Sequence, residues 1–342
     1  MKDYAIIPIF IPHLGCPNDC IFCNQRRITA KPSPVTPGDV EQQIEMILPQ
    51  LEKQSVKNRE IAFFGGSFTA IPRELQEEYL RIAKKYKNET RIHRIRLSTR
   101  PDCIDEAILN HLKNYGVDII ELGVQSFDDE VLRIAGRGHD AAVVYDACEL
   151  IKAHEFIMGI QLMIGLPGDT KEKAVFSAME TARLQPDIAR IYPTVVIGDT
   201  ALMDMYKRGD YTPFSLNEEI EIAAEMCKIL YNANVNVVRI GLKSSSILDS
   251  GDEITKRTFH PAFRQLVDGR IARDELNARI NELIKRRDIK TLTISANSHQ
   301  FANIIGHKGE NKKYLAFEYP FLDIKYNVDN SLKNRDFRIE LN

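Results

Sequence analysis

Hydrophobic and polar positions follow a repeated strand-then-helix order along the first two thirds of the chain. Short apolar runs rich in β-branched residues predict six strands, at residues 5–11, 61–64, 92–97, 117–122, 160–164 and 188–196. Apolar residues spaced to share one helical face predict six helices, at residues 39–51, 73–85, 104–114, 141–154, 171–184 and 217–231. Strands that alternate with helices of this length imply right-handed crossovers and a parallel sheet. We therefore predict an α/β fold, a partial (β/α)6 barrel of the TIM type, with its site at the carboxyl ends of the strands.

The regular alternation fades after about residue 235. One more strand is predicted at residues 235–240, a mainly helical stretch at 262–286, and two further strands at 291–296 and 321–328. We expect residues 1–234 to form the barrel. Residues 235–342 are expected to form an α+β extension that closes the open side of the barrel and covers the substrate.

Composition and charge limit the class of protein. Apolar residues make up 44% and charged residues 27% of the chain, as in ordinary globular proteins. The chain has neither an apolar run long enough to span a membrane nor a signal-peptide pattern, so we expect a cytoplasmic protein. The net charge is −2, which favours a small substrate, because extended nucleic-acid-binding surfaces are usually basic. The basic runs at residues 285–287 and 312–313 are expected to be solvated helix faces.

Three of the six cysteines lie close together, directly after the first predicted strand. Cys16, Cys20 and Cys23 occupy a loop rich in Gly, Pro and Asn, and clustered cysteines in a cytosolic chain indicate metal binding rather than disulfides. Three thiolates can hold a 4Fe–4S cluster and leave one iron open to another ligand. A zinc site would need a fourth ligand, for which His13 is the nearby candidate, outside the usual spacing. The remaining cysteines are expected to be small buried residues: Cys103, Cys148 and Cys227.

Further motifs follow the later predicted strands in order. They are GGSFT at residues 65–69, ELGVQS at 121–126, RGH at 137–139, GLPG at 165–168 and YPTVVI at 192–197. With the cysteine loop, they resemble the radical S-adenosylmethionine (SAM) superfamily. The closest likeness is to the branch that contains the Elongator catalytic subunit and the oxygen-independent coproporphyrinogen III oxidases. This resemblance runs from about residue 6 to about residue 211.

The resemblance implies a 4Fe–4S cluster on the three cysteines and SAM on its open iron. Arg137 would pair with the SAM carboxylate, as a guanidinium can do with two hydrogen bonds, and Gln125 would brace the ligand. Ser98 would meet the ribose, although the coproporphyrinogen branch has a carboxylate there. Arg100 fits either a SAM contact or a surface ion pair. The remaining SAM candidates are Gly65, Gly66 and Ser67 at the amino group and Met163 and Leu166 near the adenine.

The chemistry implied by the resemblance is reductive cleavage of SAM to a 5′-deoxyadenosyl radical, which then abstracts hydrogen from a substrate. Such clusters have low potentials, so a flavodoxin- or ferredoxin-type reductant is expected. Hydrogen abstraction needs no acid–base pair, and no catalytic residue is assigned. The candidate substrate contacts are His13, Tyr192, Arg239, His260 and Arg264, with Phe263, His299, His307 and Lys308 as further candidates.

Three functions remain open at this point. The first is a lyase acting on a small nucleoside-like substrate derived from modified tRNA, such as a queuosine-type nucleoside or nucleotide that would yield queuine. The second is modification of intact tRNA by an Elongator-like enzyme without an acetyltransferase domain, which would require a basic surface beside the barrel mouth. The third is a non-catalytic carrier of a cluster or of haem, against which the retained SAM motifs count. The sequence leaves the oligomeric state open.

Overall fold

A parallel seven-stranded sheet forms the main body of this computed structural model. The structure describes residues 4–11, 16, 20–24, 35–243, 252–286, 289–333 and 335–341. The strands are β1 Tyr4–Ile11, β2 Asn58–Gly65, β3 Arg94–Thr99, β4 Ile119–Gln125, β5 Ile157–Ile164, β6 Ile188–Pro193 and β7 Asn236–Ile240. Each strand pairs in parallel with the next one in sequence, so the sheet curls into a half-barrel. The predicted α/β partial barrel is therefore confirmed, with β7 as a seventh strand.

Helices connect these strands and cover the sheet. They are α1 Pro37–Lys53, α2 Arg73–Asn88, α3 Glu106–Asn114, α4 Asp129–Ile134, α5 Ala141–Ala153, α6 Lys171–Leu184, α7 Ala201–Arg208 and α8 Leu216–Asn232. The main hydrophobic core lies between them and the strands, where Ile7 and Ile9 of β1 pack with helical residues such as Ile44. Capping boxes at Thr36 and Ser215 fix where α1 and α8 begin, because they satisfy backbone N–H groups of the first turn.

Charged residues occupy the inner face of the half-barrel. The Arg96 guanidinium on β3 donates to Glu60 on β2 at 2.8 Å and to Glu121 on β4. Arg190 on β6 donates to the same Glu121 carboxylate at 2.6 Å. Burial alone would lower the pKa of Arg190, but the Glu121 carboxylate outweighs burial and raises it. The buried network therefore joins four strands across the barrel interior.

The C-terminal unit, residues 263–341, has a sheet and a core of its own. Its elements are α10 Phe263–Arg286, β8 Thr291–Ala296, α11 Ser298–Ile305, α12 Glu310–Glu318, β9 Asp323–Val328 and β10 Phe337–Leu341, and the short helix α9 Glu253–Thr258 precedes it. The three strands lie in the order β10-β8-β9, with β9 parallel and β10 antiparallel to β8. Helix α10 joins this unit to the barrel, because Val267 belongs to the main core and Leu276 to the second core.

Two further expectations can be compared with these elements. Cys148 and Cys227 are buried as expected, whereas Cys103 is only half-buried. The extension contacts the barrel through α10 and α8, where Lys228 pairs with Asp274 at 2.7 Å. Its expected closure of the open side of the barrel stays a prediction. Among the described residues, every helix is too short or too polar to cross a lipid bilayer.

Candidate functional site

A cavity of about 330 Å³ lies at the carboxyl ends of the barrel strands. Most of the residues that the sequence assigned to the cluster and to SAM line it together: Cys16, Cys20, Cys23, Gly65, Gly66, Ser67, Ser98, Arg100, Gln125, Arg137 and Met163. Tyr192, a predicted substrate contact, lines it as well. These residues lie at or just after the carboxyl ends of strands β1 to β6, so the parallel strand order is what brings them to one place.

Ile21 of the cysteine loop forms backbone hydrogen bonds with two neighbouring helical segments. The Ile21 amide donates to the Ala135 carbonyl at 3.1 Å, and the Leu202 amide donates to the Ile21 carbonyl at 2.9 Å. The Cys23 amide donates to the Cys20 carbonyl at 3.0 Å, which closes a tight turn between the two thiols. Phe22 packs into a small apolar cluster beside Leu166. Residues 20–23 of this loop are therefore held in place by hydrogen bonds and packing with the surrounding protein.

Two arginines face the central thiol of this loop. The guanidinium Nη1 atoms of Arg137 and Arg100 lie 3.2 Å and 3.8 Å from the Cys20 sulfur. Burial raises the pKa of Cys16, while a hydrogen bond from the Ser67 backbone and these two guanidinium groups act in the opposite direction. Positive charge next to the thiols favours their thiolate forms, which are the forms that bind iron.

The thiols fit a multi-iron cluster better than a single ion. Among the described residues, no three Cys, His, Asp or Glu side chains lie close enough together to hold one metal ion. A cubane cluster takes each thiolate on a different iron, so its ligands need to line one pocket rather than meet at one point. All three cysteines line the cavity.

Arg137 lines the cavity with a buried guanidinium group. Its side chain is 5% exposed, Nη2 donates to the Gly123 carbonyl, and Nε is buried with no hydrogen-bond partner among the described residues. A buried guanidinium with an unused N–H suits a carboxylate such as that of SAM. Arg100 makes a bidentate ion pair with Asp102 at 2.8 Å, but it is buried rather than at the surface. It also lines the cavity, and its contact with SAM stays a prediction.

The turn after β2 requires glycine and brings backbone to the cavity. Gly65 has φ +104°, and a Cβ atom there would lie 2.5 Å from the Ile11 carbonyl oxygen. The Ser67 hydroxyl hydrogen-bonds Thr99 at 2.8 Å and accepts from the Arg100 amide at 3.2 Å. The Ser67 side chain therefore joins the ends of β2 and β3, and it lines the cavity together with Gly65 and Gly66.

A group of polar side chains, here called the inner polar wall, lies along the strands and consists of Glu121, Gln125, Gln161, Arg190 and Tyr192. Gln125 has φ +71° and its amide oxygen accepts from Gln161 at 3.1 Å. The Arg190 guanidinium reaches the Tyr192 hydroxyl at 3.4 Å as well as Glu121. Glu121 belongs to the ELGVQS motif but was given no role from the sequence, and Gln161 was not selected. The available signal was a polar residue inside an otherwise apolar strand, at the same alternation as the cavity-facing Gly123 and Met163.

Several predicted residues lie elsewhere in the fold. Leu166 is buried against Val131 and Ala135, behind the cavity wall. Arg239 lies on β7, in register with Arg190. Arg264 donates to the Val238 carbonyl at 3.1 Å, so its guanidinium braces β7.

The remaining candidates lie in or beside the C-terminal unit. Phe263 is buried in the main core, His299 and Lys308 are exposed, and His260 and His307 lie against each other with ring centroids 6.0 Å apart. His13 lies outside the described residues. Among the described cavity residues, Tyr192 is the one substrate contact that the sequence proposed.

Comparison with known proteins identifies the family. Residues 10–179 match the model of the radical SAM superfamily, and residues 186–273 match the radical SAM C-terminal domain. An uncharacterized protein of Methanocaldococcus jannaschii is 31% identical over 235 residues, which cover 66% of this chain and 71% of that protein. The tRNA uridine(34) acetyltransferase of Methanocaldococcus infernus is 30% identical over 260 residues, or 65% of this chain and 49% of the relative. The chain thus spans about half the length of that acetyltransferase.

Solved structures show the same fold. The archaeal Elp3 of Methanocaldococcus infernus superposes with a TM-score of 0.56 at 24% identity, covering 71% of this chain and 61% of that one. Coproporphyrinogen III oxidase from Escherichia coli, a radical SAM enzyme, gives a TM-score of 0.50 at 20% identity, with coverage of 68% and 53%. Family models, sequence relatives and fold agree with the branch that the motifs resemble. The chain therefore belongs to the radical SAM superfamily, whose members use a 4Fe–4S cluster and S-adenosylmethionine.

Proposed function

We propose that this radical SAM enzyme modifies a nucleoside of tRNA. The observation that carries the proposal is one cavity lined by Cys20, Arg137 and Gln125, in a chain whose relatives include tRNA uridine(34) acetyltransferases. These relatives favour the second of the functions left open by the sequence. The acetyl transfer in their name is not assigned to this chain, which matches only about half of their length.

Different residues around the cavity would bind the cluster and SAM. Cys16, Cys20 and Cys23 would hold the cluster, the backbone at Gly65 and Gly66 would accept hydrogen bonds from the SAM ammonium, and Arg137 would pair with its carboxylate. Further SAM contacts would come from Ser98, Arg100, Gln125 and Met163. When bound, these groups supply a 5′-deoxyadenosyl radical that removes a hydrogen atom from the substrate.

The inner polar wall would position the substrate. Tyr192 would present a hydroxyl and Gln161 an amide to a nucleobase. The Arg190 guanidinium donates to the Tyr192 hydroxyl at 3.4 Å and would orient it. Hydrogen abstraction requires the substrate carbon to sit about 3–3.5 Å from the reacting atom, so this wall would act by orientation rather than by proton transfer. A substrate held against this wall would displace bulk water from that position.

A free nucleoside is the second candidate substrate. A lyase that releases queuine from a queuosine-type nucleoside or nucleotide would use the same cavity, and the net charge of −2 favours a small substrate. For either substrate we expect a flavodoxin- or ferredoxin-type reductant and a cytoplasmic location. We assign residues 235–342 to substrate binding, since Leu242 forms part of the cavity wall.

The test is anaerobic reconstitution of the full chain with iron and sulfide, followed by dithionite, SAM and candidate substrates. We expect 5′-deoxyadenosine to form and its release to accelerate with tRNA more than with free nucleosides. Acceleration by queuosine-type nucleosides alone would transfer the assignment to the lyase, and no 5′-deoxyadenosine with any substrate would indicate a carrier.

A matched pair of cysteine variants isolates the contribution of the loop. Cys20→Ala should abolish both the cluster absorbance and 5′-deoxyadenosine formation. Cys148→Ala removes one thiol from helix α5 in the main core and should retain both. Full activity of the Cys20→Ala protein would contradict the cluster assignment.

A further inference from the structure

The C-terminal unit contains a recognisable arrangement of two helices between two strands. Strand β8 leads into α11, a four-residue loop of sequence GHKG at residues 306–309 connects α11 to α12, and α12 leads into β9 beside β8. Strand β10 completes the sheet on the other side of β8. A βααβ unit with a GxxG loop between its helices is the arrangement of KH modules, in which that loop clamps a nucleic-acid backbone.

The GHKG loop is tightly packed at its first glycine, Gly306, and unobstructed at its last, Gly309. Gly306 has φ +80°, and a Cβ atom there would lie 2.8 Å from the Asn311 amide nitrogen. The buried Asn311 side chain donates to the Gly269 and Asn303 carbonyls at 2.7 Å and 2.9 Å. Gly309 also has a positive φ, but a Cβ atom there would meet nothing within 4 Å. A backbone could therefore approach the loop closely at Gly309.

Basic side chains lie beside the loop, and exposed aromatic side chains lie at the other end of α12. Lys308, Lys312, Lys313 and Lys325 are exposed, and Lys312 lies 5.7 Å over the Tyr326 ring, between α12 and β9. Acidic residues are present too, at Glu310, Glu318 and Asp323, and Asp323 lies 4.0 Å from Lys325. Two phenylalanines at the end of α12 are unusually exposed, Phe317 at 83% and Phe321 at 59%. Lysines neutralise phosphates and exposed aromatic rings stack on bases, which is how single-stranded nucleic acids are held.

The GHKG loop lies close to the mouth of the cavity. The His307 imidazole is 3.3 Å from the Gln265 side-chain oxygen, and its ring packs on His260. Phe259, the residue before His260, packs against the cluster of Val195 and Ile197, which line the cavity. Burial, together with the positive charges of His307 and Lys308, lowers the pKa of His260. The GHKG loop therefore brings Lys308 near the junction of the C-terminal unit with the barrel.

We propose that the C-terminal unit binds single-stranded RNA through the GHKG loop and presents one of its nucleotides to the barrel cavity. The choice of RNA rests on the proposed function, whereas the single-stranded requirement rests on the loop and on the cavity. A base must leave its stack to enter a cavity of this kind, which costs least when the RNA is unpaired. The unit would thus supply the surface beside the barrel mouth that an intact RNA substrate requires.

The experiment measures binding of a fluorescent single-stranded RNA to the reconstituted full chain by anisotropy, at several salt concentrations. The test variant is His307→Asp with Lys308→Asp, since aspartate tolerates the left-handed backbone of Lys308 at φ +51°. The control is Lys285→Asp with Arg286→Asp, an exposed basic pair about 30 Å further along α10 from Gln265 at 1.5 Å per residue. Circular dichroism establishes that each variant is folded.

We expect the loop variant to bind RNA roughly tenfold more weakly or worse, and the control to bind like wild type. The salt slope of the loop variant should be shallower by about 0.7 for each phosphate that it no longer neutralises. Equal affinity of wild type and the loop variant, an equal decrease in the control, or equal binding of duplex RNA would overturn the proposal. Tighter binding of single-stranded DNA of the same sequence would overturn the choice of RNA.

RNA binding and SAM cleavage are measured separately, so the two proposals fail separately. Wild-type protein that forms 5′-deoxyadenosine but does not bind RNA contradicts only the role of the C-terminal unit. Wild-type protein that binds RNA but shows no stimulation of SAM cleavage by tRNA contradicts only the proposed function.

Discussion

Arg137 is the residue on which the SAM assignment depends most directly. It contacts Cys20 through Nη1 and the Gly123 carbonyl through Nη2, which fixes the plane of the guanidinium. The buried Nε therefore has a set direction and no competing acceptor among the described residues. A lysine could keep the charge but not this planar arrangement of donors.

We predict that Arg137→Lys weakens SAM binding by roughly ten- to a hundredfold, because it removes charge-assisted hydrogen bonds of about 1.5–3 kcal/mol. Equilibrium binding of SAM to the reconstituted protein measures the change. Arg133→Lys, at an exposed position one turn earlier in the chain, is the control and should bind SAM normally. Unchanged affinity of the Arg137→Lys protein would exclude a direct contact with the SAM carboxylate.

Glu219 on helix α8 gives a second prediction at the scale of one residue. Its side chain is almost fully buried, and burial, with a smaller contribution from Glu218, raises its pKa to about 8. The folded protein therefore holds a proton that the unfolded chain releases at about pH 4.3. Between these two values the free energy of unfolding falls as the pH rises, because the unfolded state binds fewer protons.

Glu219→Gln should remove this pH dependence, since glutamine stays neutral. We expect the variant to gain stability relative to wild type between pH 5 and pH 8, by up to about 1.4 kcal/mol per pH unit. Urea unfolding at both pH values measures the difference. Glu225→Gln, on the exposed side of the same helix, controls for the removal of one carboxylate. A constant offset between Glu219→Gln and wild type at the two pH values would contradict the raised pKa.

At the scale of elements, the Glu121 carboxylate adds side-chain links between strands to the backbone hydrogen bonds of the sheet. It accepts from Arg96 on β3 and from Arg190 on β6 while lining the cavity. Gly159 on β5 allows this, because a Cβ atom there would lie 2.8 Å from Glu121 Cγ. The network therefore stabilises the curvature of the sheet at the position where the inner polar wall begins.

We predict that Glu121→Gln lowers the free energy of unfolding by about 3–5 kcal/mol, because two buried guanidinium groups lose their shared anion. Urea unfolding at neutral pH provides the measurement. Glu106→Gln removes a carboxylate that is 67% exposed in its pair with His154 and should cost no more than about 0.5 kcal/mol. Similar costs for the two variants would mean that the buried network contributes little.

The elements that the sequence predicted well are those with long apolar runs. Strand β5 and helix α6 were found because buried strands and amphipathic helices each have a clear period. Helices α4 and α7 were missed because they have six and eight residues, too few to show that period. The motif residues could be placed at the cavity because they follow strands of a parallel sheet. The role of Gln161 could not be predicted, since it depends on contact with Gln125 from a neighbouring strand.

At the scale of the whole molecule, the C-terminal unit was the part that sequence patterns described least. Its strands at residues 291–296 and 321–328 were expected, but their order in the sheet and the position of the GHKG loop depend on packing between distant residues. Lys312 and Lys313 are indeed exposed, and their place beside the loop gives that exposure a role in the RNA binding that we propose. Long-range packing also explains why His260 and Arg264 were assigned to a cavity that they do not line.

Helix α10 determines how the two cores respond to a defect, because it contributes to both. Ile271 packs in the main core and Ile280 in the core of the C-terminal unit, so the same substitution can be made in each core on one helix. Either isoleucine-to-alanine change should lower the free energy of unfolding by about 2–5 kcal/mol through reduced burial and cavity formation.

We predict that Ile280→Ala raises hydrogen exchange in residues 291–341 while strands β2–β6 stay protected, since local opening follows the core that is weakened. Ile271→Ala should instead raise exchange in α8 and the adjoining strands. Exchange that rises equally throughout the chain in the Ile280→Ala protein would mean that barrel and C-terminal unit unfold as one cooperative body, with the shared helix coupling them completely.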